Sequence, residues 1–367
     1  MLHRIFTALA LAVVILTAGC MGGLLHPPVV PPAIVPIDGA PPMGALVYTF
    51  PFEGGEETIR IEPDPAAYTG AKAADRQLYL YEDLAREEWI PIYYLAFADD
   101  PHQEPFYTDL LAALRDIRER EDLDGDRYIE LIAVFVQSIP HKTDTLAIEP
   151  KFPIETYVDG EGDCDDKSLL LAALLAREGY GTALFYFGEE EHMAVGVKSV
   201  GCCYLNTSYA YIETTNISYV GIPPAALADG AYLSSEPLVI PVGDGDGFYT
   251  ASGEVAVIER ALTLSRDRVE ELNEELVVRT RELEADGEAL AALDARMTEL
   301  SRAGYIREYN RLVSEYNRLI SAYNRAAEAY NAMLGEAEST VNLHNYLAGH
   351  AHDRPGSYLR ALDYLMG

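Results

Sequence analysis

An α+β domain followed by a long antiparallel α-helical hairpin is the architecture this sequence predicts, and three observations carry it. The run Leu169-Leu170-Leu171-Ala172-Ala173-Leu174-Leu175 has the length and apolarity of a buried helix, with Gly179 placed to stop it. Short apolar runs at 182–187, 192–197 and 203–215, split by the turn Gly188 to Glu191, have the length of strands. Beyond residue 252 the period changes, because Leu262, Val269, Leu276, Leu283, Leu290 and Met297 recur every seven residues. A break at Ala303-Gly304 separates this arm from a second, in which Ile306, Tyr309, Val313, Tyr316, Ile320, Tyr323, Ala327, Tyr330 and Leu334 alternate by threes and fours. Two such arms around a glycine predict a hairpin about 65 Å long at ~1.5 Å per residue.

From the N-terminus, Met1-Leu2-His3-Arg4 and the apolar run 5–16 lead to Thr17-Ala18-Gly19-Cys20, the pattern of a secretion signal ending in a lipobox-like cysteine. Lipidation of Cys20 would anchor the protein to a membrane with the chain outside the cytoplasm; an uncleaved signal anchor is the alternative and gives the same side. Residues 21–44 are rich in proline and predict an extended tether. The chain carries 59 acidic against 27 basic residues, a net charge of −32, which repels nucleic acid and excludes it as a partner. Of the four cysteines, Cys20 is assigned to lipid, and Cys164, Cys202 and Cys203 imply no disulfide framework.

A β-hairpin is expected from 46–52 and 57–61 around Gly54-Gly55, at an edge because of Pro51. An amphipathic helix is expected around Phe106 to Leu114. The acidic stretch 122–130 fails as a calcium loop, since its sixth and twelfth positions hold Arg127 and Ala133; Asp124 or Asp126 is instead the cap of a helix over 128–139. Residues 140–159 predict a long loop bordering a cleft, and 237–253 a linker. The domain boundaries drawn from these patterns are 1–20, 21–44, 45–236, 237–253, 254–349 and 350–367, the last a C-terminal tail.

Chemistry is concentrated in Gly160-Glu161-Gly162-Asp163-Cys164-Asp165-Asp166-Lys167-Ser168. Cys164 falls at the N-terminus of the apolar helix, where unpaired N–H groups and the helix dipole favour a thiolate. Asp163, Asp165 and Asp166 oppose that, so a neighbouring imidazolium is needed. His192 opens the second strand after the helix, and Glu213 follows on a later one. A buried, inert Cys164 is the bland alternative. A metal site from Cys164, Cys202 and His192 is a further one, without the paired ligand spacing such sites show. Neither cofactor nor metal is expected.

The Gly-Asp-Cys block with its acids and apolar helix, the His192-Met193-Ala194-Val195-Gly196-Val197 block and the Tyr211-Ile212-Glu213-Thr214-Thr215 block together resemble the transglutaminase-like superfamily of papain-type cysteine enzymes, over about residues 125–225. The resemblance implies a papain-like core, with the cysteine-bearing helix packed on an antiparallel sheet. It implies Cys164 as nucleophile, His192 as general base and acid, and Glu213 as the group orienting His192, where the family more often has Asp. Gln137 resembles an oxyanion donor; a surface glutamine is its alternative. The implied activity is hydrolysis of peptide or isopeptide bonds in a protein or peptide substrate through a thioester, with crosslinking as the alternative. A rival expectation is a catalytically silent scaffold that docks a cell-surface protein through the helical hairpin. The tyrosine stripe, each member followed by Asn310, Asn317, Asn324 or Asn331, fits seam packing or an aromatic ladder for a glycan or protein.

Overall fold

The computed structural model describes residues 29–142, 149–201, 203–227 and 230–367. The leader with Cys20, the central part of the 140–159 loop and Cys202 lie outside the described residues. The architecture is mixed α and β with antiparallel sheets and a long helical C-terminal part.

The described residues open with a short strand, Val29–Val30 (β1), then the hairpin Leu46–Phe52 (β2) and Gly55–Ile61 (β3), joined by Glu53-Gly54. Helix Pro65–Ala73 (α1) and strand Tyr79–Leu80 (β4) follow, β4 pairing with β1. Helices Arg86–Ala98 (α2), Glu104–Arg120 (α3) and Gly125–Ser138 (α4) come next. Asp124 caps α4 by accepting from the Arg127 N–H at 2.9 Å, the role its position predicts. A short helix, Pro153–Asp159 (α5), sits within the expected loop. It is followed by Cys164–Arg177 (α6), which Gly179 ends at φ +81°.

The main sheet has four antiparallel strands: Gly181–Phe187 (β5), His192–Lys198 (β6), Tyr209–Ile212 (β7) and Leu238–Asp244 (β8), in spatial order β7-β6-β5-β8. The period-2 rule sorts its side chains. Leu184, Met193, Val195, Val197, Ala210, Ile212 and Ile240 enter the large core shared with the helices, while Phe185, Phe187, Ala194 and Tyr211 form a separate cluster on the opposite face. Helix α6 covers the first face and is itself surrounded by α2, α4 and α5, which explains why its leucines are apolar all round.

Three boundaries differ from the sequence expectation. The expected linker 237–253 contains β8, which pairs with β5 through Leu184↔Ile240 and is a full member of the sheet. The proline-rich tether is laid on the domain over 29–37: Ile34 is buried, its N–H donates to Asp100 Oδ2 at 2.7 Å, and the Ile37 N–H donates to Ala66 O. Prolines there shape a surface strap, because each removes a donor that would otherwise need a partner. The expected tail is a helix, Arg354–Met366.

That helix packs on the base of the hairpin formed by Ser252–Arg302 (α7) and Ile306–Gly349 (α8), and is α9. The predicted heptad faces inward, with Leu262, Val269, Leu276, Leu283 and Leu290 half-buried and Met297 buried. Tyr309, Tyr316, Tyr323 and Tyr330 are half-buried in the seam, while the asparagine after each is exposed. Ser265, buried in the seam, bonds His344 Nδ1 across the hairpin at 3.0 Å.

Candidate active site

Cys164 is the first residue of α6, and Asp163 is its cap. Asp163 Oδ1 accepts from the Asp166 N–H at 3.4 Å, and Asp166 Oδ2 accepts from the Asp163 N–H at 3.3 Å, a reciprocal box. Asp166 also accepts from the Lys151 N–H at 2.6 Å, pinning the loop before α5. The Asp166 N–H also donates to Asp165 Oδ1 at 2.9 Å, so all three aspartates are occupied in starting the helix. Asp163, Asp165 and Asp166 each offer an oxygen within 4.8 Å of the others, a spacing a cation could bridge, but each already accepts from the backbone. Burial, with the charge of Asp163, pushes Asp166 up to about 6, and burial with the Asp163 contact pushes Asp165 well up.

Opposite the helix start, His192 begins β6. Its Nε2 lies 3.2 Å from the Tyr211 hydroxyl and 3.3 Å from Glu213 Oε2. The Tyr211 hydroxyl donates to Glu213 Oε2 at 2.8 Å, so it accepts from His192, which places the proton on Nε2 and leaves Nδ1 as the basic nitrogen. Glu213 is 2 % exposed, and its Oε1 accepts from the Thr214 N–H at 3.0 Å, the Thr215 N–H at 2.9 Å and Thr215 Oγ1 at 2.7 Å. Burial opposes ionisation, but the bonds from His192 and Thr215 outweigh it and hold Glu213 at about 2.

Three hydroxyl contacts knit helix to sheet. Ser168 Oγ donates to Met193 O at 3.2 Å and lies 3.1 Å from Thr214 Oγ1, which donates to Cys164 O at 3.3 Å. The Met193 N–H, one residue from the imidazole, faces the thiol and favours its ionised form. No hydrogen bond joins His192 to Cys164 among the described residues. Burial pushes the Cys164 thiol up, Asp165 pushes it further, and the Met193 N–H only partly offsets them, with Asp163 and Glu213 adding to the rise. In the resting protein Cys164 is therefore a thiol, not the thiolate that its helix position alone predicts.

Gln137 does not point its amide at an oxyanion. Its Nε2 donates to Glu213 O at 2.7 Å and to Ser218 O at 3.2 Å, and its Oε1 accepts from the Ser218 N–H at 3.3 Å. With both amide hydrogens committed, it has none for a developing charge, which corrects the oxyanion role; nor is it a surface residue, being 3 % exposed.

Three residues of the site were not singled out from sequence. Tyr211 was detectable, since it lies two residues before Glu213 and strand alternation puts both on one face. Lys167, fully buried, donates to the carbonyls of Gln137, Ile139 and Thr215 at 3.0, 2.7 and 3.3 Å. Burial lowers it to about 8 against the pull of Glu213. Its signal was a lone cation in the first turn of an apolar helix. His141, which forms a bridge with Gly162, feels Lys167, Asp163, Glu213 and His192, and burial holds it below its ordinary value. No sequence pattern marks it. On the α2 side, Tyr94 stands 5.6 Å from the Tyr186 ring, and Arg86 donates to the Tyr186 hydroxyl at 2.9 Å.

No protein-family model, curated protein or solved structure matches the chain.

Proposed function

We propose that the protein is a transglutaminase-like cysteine enzyme that hydrolyses peptide or isopeptide amides by acyl transfer. The observation that carries this reading is the constellation of Cys164 at the head of α6 beside the Met193 N–H, with the buried pair of His192, at the start of β6, and Glu213, just past the end of β7. Because the thiol is protonated at rest, His192 works as a general base during attack rather than in a preformed ion pair. The Cys164 sulfur attacks the carbonyl carbon, its proton passes to Nδ1, and Glu213 with Tyr211 steadies the imidazolium through Nε2–H. The oxyanion is met by the N–H groups of Cys164 and Asp165 in the first turn of α6, that of Asp166 being spent on the cap. The imidazolium then protonates the leaving amine, and water, deprotonated by the same nitrogen, cleaves the thioester. An amine in place of water would give crosslinking.

The reading extends to location: residues 1–20 support secretion and a lipid anchor at Cys20, and no helix among the described residues is long and apolar enough to cross a membrane. The test is hydrolysis of a peptide-amide library by the wild type, Cys164→Ala and His192→Ala. Activity retained in Cys164→Ala would remove the nucleophile.

A second reading, a silent domain whose helical hairpin docks a cell-surface protein, is favoured by one observation: no hydrogen bond joins His192 to Cys164 among the described residues, while burial and Asp165 push the thiol up. It is supported if the library is untouched while segment 252–349 retains a partner captured by the whole protein.

A further inference from the structure

The foot of the helical hairpin is bonded to the same short segment that carries the acid of the site. Tyr219 is buried, its ring in a cluster with Ile258, Ala261, Leu347 and Ala361 of the three C-terminal helices. Its hydroxyl lies 2.7 Å from Leu347 O, 2.8 Å from Ser357 Oγ and 3.3 Å from His350 O. One residue earlier, Ser218 is held at both its N–H and its carbonyl by Gln137, whose Nε2 also holds the carbonyl of Glu213. Thr215, between them, is held by Lys167, and the Gly221 N–H returns to Tyr211 O at 2.7 Å. Residues 213–219 are therefore a strap with Glu213 at one end and the hairpin at the other.

The hairpin also grips the helix to which the strap is tied. Arg354 of α9 bonds Glu130 of α4 at 2.5 Å, seven residues and two turns before Gln137 on the same face. A small cleft lined by Glu130, Val134, Ser218, Tyr219, Ala351 and Arg354 lies in this joint, beside the packed ring of Tyr219.

We propose that the helical hairpin positions the acid of the site: Tyr219 and Gln137 are positioning residues through which the hairpin foot sets the contact of Glu213 with the His192 Nε2–H. This rests on the acyl-transfer reading for its consequence, but the contact itself is observable without activity. A load on the hairpin, which reaches far from the domain on helices of 51 and 44 residues, would then be felt at Glu213.

The test uses the full chain with labelled histidine and follows two readouts: the His192 Nε2–H proton resonance, and the rate of Cys164 alkylation by iodoacetamide read on its own peptide. Glu213→Gln gives the reference shift. Tyr219→Phe keeps the ring and removes only the hydroxyl; it is expected to move the resonance toward the Glu213→Gln position and to slow alkylation several-fold. Gln137→Met is expected to do the same, and if it fails to fold Tyr219→Phe decides alone. A lowered melting temperature with the resonance unmoved makes Tyr219 merely structural and overturns the proposal. If Glu213→Gln itself moves nothing, the His192–Glu213 contact and the proposal fall together. If Tyr219→Phe moves the resonance while alkylation ignores both it and His192→Ala, the positioning stands and the acyl-transfer reading is the one lost.

Discussion

At the level of single residues, the site sets two opposed fields against each other. The helix start favours a thiolate, yet burial and Asp165 push the Cys164 thiol up. Alkylation of Cys164 is therefore expected to reach half its limiting rate above the ~8.5 of a free thiol. Asp165→Asn should bring that half-point down, since Asp165 is the largest charge acting on the sulfur; a half-point unmoved by this change would remove Asp165 from the account. Lys167 carries a second prediction. Its folded value of about 8 lies below the ordinary 10.5, so the unfolded chain binds the extra proton between those values. The burden of its burial is full below about pH 8 and is relieved as pH rises toward 10.5. Relative to Lys167→Met, the wild type should gain on the order of 3 kcal/mol across that window, read from urea melts of both proteins. That His192 and Glu213 meet was legible from residue type and order, since each stands at a strand end on neighbouring strands. Gln137 was misjudged because an amide near a nucleophile in sequence says nothing of where its two hydrogens are spent, and that depends on a loop 76 residues away.

Among the elements, helix α6, strands β5 and β6, and both arms of the helical hairpin were legible because each has a period and a clear stop. Strand β8 was not, since Pro241 and the Gly-Asp repeats after it look like loop chemistry; as an edge strand it needs only one side of its backbone paired, which tolerates both. The segment 29–37 escaped for a related reason. Its prolines suggest extension, and nothing local shows that Ile34 drops into the core while its N–H meets Asp100. Ile34→Ala should therefore cost about 2–5 kcal/mol, measured by chemical denaturation. A free tether would show no change. Asp100→Asn is the companion, because Asp100 also receives the His102 N–H at 2.9 Å and starts the short turn before α3.

For the whole molecule, the question is what holds a long helical lever on a small domain, and the buried Arg354 is central to the answer. It is 7 % exposed and bonds Glu130 at 2.5 Å as well as Glu254, and the Tyr249 hydroxyl donates to the same Glu130 oxygen at 2.7 Å. Both partners are pushed up, which disfavours the charge on Glu130 and favours that on Arg354. Burial pushes Glu130 up to about 7 despite Arg354 and Tyr249, whereas Glu130 raises Arg354 despite its burial. The Glu130 direction governs the pH response, because the guanidinium remains charged throughout the accessible range. Removing the cation with Arg354→Met leaves the carboxyl buried without its main counter-charge and drives it higher still. Below about pH 7 Glu130 is largely protonated in both proteins, and the lost charge matters little. As pH rises through 7 the wild type ionises Glu130 against Arg354, and the variant cannot. The cost of Arg354→Met should thus grow with pH toward the roughly 3–5 kcal/mol of a broken buried pair. Glu130→Gln in the same chain should cancel most of that growth. Urea melts of wild type, Arg354→Met and the double variant at pH 5.5 and pH 8.5, chosen to bracket about 7, decide it: a pH-independent cost would mean that Arg354 holds the lever by packing and not by charge.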